Sequence, residues 1–210
     1  NSSEKLFLNF LQQVHCNLED KPTFDKIFNE IYTVQVESKK QQNSILTAAE
    51  LKQISEKKGG LSHLFYRVTL SNSLETAEQT AIYELGSLLQ QVNDIFDVWK
   101  DLQSGISTFV TRADDIQTIK KDFELHMKNV HQLISKLPYK SADKRACFYQ
   151  FMILIGMGIV ALNQYIDLQN KNNGKFVAAN FTRKQLVCDM QKKSNLLKLM
   201  KVCLSYNFNF

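Results

Sequence analysis

Glycine and proline are scarce, with 7 Gly and 2 Pro in 210 residues, about 4% where soluble domains average about 12%. So few turn formers exclude a many-stranded sandwich or barrel and a disordered tail, and predict a mainly helical chain. An excess of one charge is also lacking. The 26 Lys and Arg against 21 Asp and Glu leave +5, and the basic residues are scattered among acidic ones, so nucleic acid is not an expected partner. Cys16, Cys147, Cys188 and Cys203 show no CxxC spacing. This predicts reduced thiols in a cytoplasmic protein and no cysteine-bound metal. No basic-then-apolar leader opens the chain, and it begins at Asn1 without Met, so further sequence is expected upstream.

A long apolar run is nearly absent as well. From Ala146 to Leu162 almost every residue is apolar, but the run reaches only about 17 residues where a membrane span needs about 20. A buried central helix is the expectation, with Gly156, Gly158 and Ala161 letting a neighbour helix or an apolar ligand come close. Insertion of this segment in a membrane is the alternative.

What the chain does contain is apolar spacing of three and four. It predicts a helix from about Leu6 to Cys16, and a second from the Asp20–Thr23 turn to about Lys40, the two forming an antiparallel hairpin. Thr47 with Glu50 reads as a capping box for a short helix to about Lys57. Gly59 and Gly60 are expected to break it before another helix starts at Leu61. One long helix is predicted from about Glu75 to Gln103, ended by Gly105. Asp114 or Asp115 caps a helix running to Pro138, Ser141 or Asp143 opens the next, and Thr182 to Leu204 forms the last. No repeat or linker divides the chain, so residues 1–210 read as a single all-α domain.

Chemistry is concentrated in the long helix. Asn93, Asp97 and Asp101 recur every four residues and drift only about 80° around a helix, so they share a face. Neighbours in this trio lie about 6 Å apart along the axis, which suits oxygen donors converging on a hard cation; Mg²⁺, completed by substrate phosphates, fits best. Like charges at Asp97 and Asp101, with Asp94 nearby, repel and call for a compensating cation. The bland alternative is a polar stripe offset by Lys100. His15, His63, His126 and His131 are isolated, and no nucleophile and base can be paired.

At Asn93–Asp101 the sequence resembles the class I isoprenoid synthases, which include trans-prenyl diphosphate synthases, squalene and phytoene synthases and terpene cyclases. The run is similar to their second metal-binding motif, both as the triad of terpene cyclases and as the DxxxD of squalene and phytoene synthases at Asp97 and Asp101. The last residue is Asp and not the longer Glu of the cyclases, and Asn93 lies about 12 Å from Asp101 along an ideal axis, so the squalene and phytoene pattern fits better. Lys57-Lys58-Gly59-Gly60 and Arg183-Lys184-x-Leu-Val-Cys-Asp189-Met widen the match to a bacterial group of class I isoprenoid biosynthesis enzymes.

The resemblance implies an isoprenoid-synthase-like helical bundle around a deep apolar pocket, with Mg²⁺ held by Asn93, Asp97 and Asp101 at its mouth. It implies a prenyl diphosphate substrate that ionises to an allylic carbocation. Lys57, Lys58, Arg67, Lys100 and Arg112 are candidates for diphosphate contact, each against the alternative of an ordinary surface charge. Phe65, Phe96, Phe148 and Phe151 are candidates for the pocket wall, against the alternative of simple core. The facing aspartate-rich helix of the superfamily is not found. Asp20 and Asp25 straddle Pro22, and Asp114-Asp115 reads as a cap. Either that helix precedes Asn1, making this the C-terminal two-thirds of a longer chain without its N-terminal helices, or the chain cannot hold the full metal cluster. A non-catalytic helical module binding an isoprenoid or a protein partner is the rival reading. Peripheral membrane association and a homodimer are both left open.

Overall fold

The computed structural model describes residues 2–43, 46–70 and 74–206, and every regular element among them is helical. Helix α1 (Ser2–Asn17) and α2 (Lys21–Ser38) are joined by a turn in which the Asp20 carboxylate accepts from the Thr23 amide, so the expected cap before Pro22 is present. The expected hairpin is only partly formed. The last turns of α1 meet α2, with His15 on Asp25 and edge-on to Phe24, whereas Leu6, Phe7, Leu8 and Phe10 are exposed. After α2 the chain makes a short α3 (Lys40–Asn43).

Helix α4 (Ala48–Val68) starts on the Thr47/Glu50 capping box. It then runs straight through Gly59 and Gly60, where a break was expected. The reason is α5 (Thr76–Phe96), which lies antiparallel against it, Ser55 facing Asp94 at one end and Arg67 pairing with Glu78 at the other. A Cβ on Gly59 would overlap the Gly86 carbonyl oxygen and stand 2.5 Å from the Gln90 Cβ; one on Gly86 would reach 2.7 Å from the His63 Cβ. The glycines are there because two helix backbones touch, and their cost in helix propensity, about 1 kcal/mol each, is offset by that approach.

The predicted long helix is also corrected, for α5 stops at Phe96 and α6 (Val98–Gln103) follows a bend at Asp97. Gly105 ends it in the left-handed region with φ +65°. Asp115 caps α7 (Ile116–Ser135), its carboxylate accepting from the Gln117 amide and the Thr118 hydroxyl. These bonds, with one from Gln169, hold the Asp115 carboxyl down at about 2.

Helix α8 (Ser141–Lys171) is the centre of the molecule. Its glycines meet neighbouring helices as expected: Gly158 faces Val92 of α5 and Phe123 of α7, and Gly156 faces Leu199 and Cys203 of α10 (Lys193–Ser205). Among the described residues it alone is long and apolar enough to cross a membrane, and half of its most apolar stretch is buried inside the bundle. The predicted last helix is split. A short α9 (Arg183–Leu186) is separated from α10 by residues 187–192, because Tyr165 and Gln164 of α8 occupy the carbonyls that a continuing helix would need. The Tyr165 hydroxyl lies 2.8 Å from the Ile95 carbonyl and 2.9 Å from that of Leu186, tying α9 to the end of α5. Tyr165→Phe removes the one hydroxyl proton that these two carbonyls share, at an expected cost of about 1–3 kcal/mol. A urea titration with an unchanged midpoint would remove this tie from the account.

Candidate functional site

The Asp97 bend does not separate the sequence-predicted trio. The Asp97 amide donates to the Asn93 carbonyl at 2.9 Å and the Asp101 amide to the Asp97 carbonyl at 2.7 Å, so consecutive helical turns still link the three residues. Their environments differ sharply. Asn93 is exposed, Asp97 is partly covered and donated to by Lys100 at 2.9 Å, and Asp101 is only 8% exposed. Among the described residues the Asp101 carboxylate accepts no hydrogen bond and forms no ion pair, and its oxygens keep some contact with solvent.

That is an expensive arrangement. A largely covered carboxylate crowded by two other acids favours uptake of a proton. Burial, then the charges of Asp94 and Asp97, push the Asp101 carboxyl up to about 6. Asp94 is also buried and its carboxyl is raised by desolvation, but it is satisfied, accepting from the Ser55 hydroxyl at 2.7 Å and the Gln90 amide at 2.9 Å. Lys58 on α4 lies near enough to favour both ionised acids, without pairing to either. Ser55 and Gln90 were not singled out from sequence; a lone serine inside the Leu51-Ile54-Leu61 face of α4 was the available signal.

The five proposed diphosphate contacts do not converge. Lys58 and Lys100 stand beside the acids. Lys57 points to another side of α4, 3.9 Å from Glu37, on the wall of a polar cavity of about 490 Å³ with His126 and Glu84. Arg67 is a structural cation, half of a largely buried pair with Glu78 at 2.8 and 3.1 Å. Arg112 borders a separate cavity of about 460 Å³ with Gly105, Thr111 and Phe176. The described cavities are not lined by Asn93, Asp97 or Asp101. Nor do the aromatics line one: Phe148 packs in the core against Tyr206, and Phe65 packs at a tilt against Phe24 and Phe28.

The donor set can do one thing that the protein's own cations leave undone. Three oxygen-bearing side chains, one largely covered and without a protein donor, match the all-oxygen coordination of a hard divalent cation, and Asp97 can exchange Lys100 for it. Among the described residues no group of three His, Cys, Asp or Glu is close enough to enclose a metal by itself, so Asn93 and non-protein oxygens would have to complete the shell, as Mg²⁺ tolerates.

The metal-free acids set a pH dependence. Because the folded state holds a proton on Asp101 up to about 6, against the ordinary 3.8, it binds more protons than the unfolded chain in that interval, and stability falls as pH rises through it. Asp94 acts in the same direction. Asp115 has the opposite sign but matters only as pH falls below the ordinary carboxylate range. Melting in a chelator is therefore expected at higher temperature near pH 5 than near pH 7, and Asp101→Asn is expected to flatten the profile. A profile that rises over that interval in the parent protein contradicts the burial of Asp101.

No family model, no curated protein and no solved structure matches this chain.

Proposed function

We propose that this is a metal-dependent helical protein that binds an anionic, phosphate-bearing substrate at the α5–α6 bend. The observation that carries the reading is the Asp101 carboxylate, largely covered, without a protein donor among the described residues and flanked by Asp94 and Asp97. Acids crowded at one bend, one of them without a protein donor, favour a cation there.

The particular reading is a Mg²⁺-dependent prenyl-diphosphate-utilising transferase or synthase of the class I isoprenoid type, supported by the motif resemblance at the same residues. Asn93, Asp97 and Asp101 would hold the metal, whose bound charge would offset that of a departing diphosphate. Lys58 and Lys100 stand where they can add to that offset, and Asp94, held by Ser55 and Gln90, keeps α4 and α5 in register beneath the site.

The test is release of inorganic diphosphate from a prenyl diphosphate with Mg²⁺. Turnover that is lost in Asp97→Ala supports the reading; turnover equal in the two proteins, or none at all, contradicts it. One observation favours a second reading, a non-catalytic module on the same fold: the described cavities lie away from the trio. That reading expects the prenyl diphosphate to raise the melting temperature without being consumed.

A further inference from the structure

Helix α10 buries Asn195, Leu199 and Cys203 against the bundle, with Leu199 and Cys203 meeting Gly156 of α8. It also presents a second apolar face that the described residues leave uncovered. Leu197, Met200 and Leu204 are 66%, 57% and 75% exposed, and Leu196 is exposed beside them. At 100° per residue Leu196, Met200, Leu204 and Leu197 span an arc of about 100°, so they form one stripe. Lys193 lies on the same arc and Lys201 borders it, both exposed. From Lys192 to Ser205 there are four lysines and no carboxylate. Among the described residues none of the four is in an ion pair.

We infer that this face of α10 docks on an anionic phospholipid surface. An apolar stripe with lysines at its N-terminal end and along its border is the pattern of a helix lying in the plane of a membrane interface, its leucines and methionine below the headgroups and its lysines on the phosphates. The charge favours lipid over a second copy. A two-fold dimer through this face would bring the lysines of both helices together with no carboxylate on either to answer them. The assignment does not depend on the metal site.

Co-sedimentation of the full chain with phosphatidylcholine vesicles, with and without phosphatidylserine, tests it. Binding is expected only to the phosphatidylserine vesicles and is expected to weaken with added salt. Met200→Ser with Leu204→Ser should weaken it about tenfold or more, and Lys193→Gln with Lys201→Gln about 25-fold, while melting of these surface variants stays at the parent value. Absence of binding, equal binding to both vesicles, or variants that bind as the parent does would overturn the proposal. So would self-association in ultracentrifugation that the Met200/Leu204 variant abolishes, since a second copy would then be the occupant.

Discussion

Gly59→Ala is expected to lower the stability of this protein by about 3 kcal/mol, at the upper end of what overpacking costs. For a chain of this size that is a fall of roughly 6–12 °C in melting temperature. Helix propensity alone predicts the opposite, a gain of about 1 kcal/mol on replacing a mid-helix glycine. The sign is decided by what the new methyl meets: the backbone carbonyl of Gly86 and the Cβ of Gln90, neither of which can rotate away. Gly86→Ala should cost a similar amount, and because both changes force the same two helices apart, the double variant should lose less than the sum. Gly158→Ala is a graded comparison. Its Cβ would stand 3.3 Å from atoms of Phe123 and Val92, side chains that can shift, so a loss under about 1 kcal/mol is expected. Thermal melting of the three variants checks the order, and a neutral or stabilising Gly59→Ala would refute the α4–α5 contact.

Asp101→Asn is expected to act in two directions at once. Without metal near neutral pH it removes a buried, unpartnered charge repelled by Asp94 and Asp97, and should stabilise the chain by about 1–2 kcal/mol. The same change takes away the ligand that most needs a cation, so any stabilisation by Mg²⁺ should vanish. Stability gained together with binding lost is the mark of a site whose strain serves a ligand. Asp94→Asn should differ, because Ser55 already satisfies that carboxylate; its loss disturbs the α4–α5 contact and destabilises with or without metal. A stable Asp94→Asn beside a destabilised Asp101→Asn would reverse the roles assigned to the two acids.

The helical class was legible because apolar spacing and the shortage of glycine and proline are local properties, as were the caps at Asp20, Thr47 and Asp115. The errors came where tertiary contacts overrule local signals. Gly59-Gly60 read as punctuation, but a backbone crossing 27 residues further along at Gly86 makes glycine a packing residue. The bend at Asp97 was hidden because a helical hydrogen bond spans it, leaving the periodicity intact. The split before α10 depends on Tyr165 and Gln164, which no local pattern connects to residues 185–187.

At the site, four-residue spacing placed Asn93, Asp97 and Asp101 on linked turns, and proximity of Lys100 followed from three-residue spacing. The depth of each side chain did not follow. Asp101 is buried and Asn93 exposed because the bundle packs against one edge of that face, a matter of neighbouring helices. Arg67 could not be told from a substrate contact in sequence, since its partner Glu78 lies on the next helix, α5.

The most direct measurement is calorimetric titration of the protein with Mg²⁺ in the presence of inorganic diphosphate, above and below about pH 6. Saturable binding is expected that weakens at the lower pH as a proton competes for Asp101, and that disappears in Asp101→Asn; equal heats for the parent and the variant, or none for the parent, would contradict a metal site at Asp101.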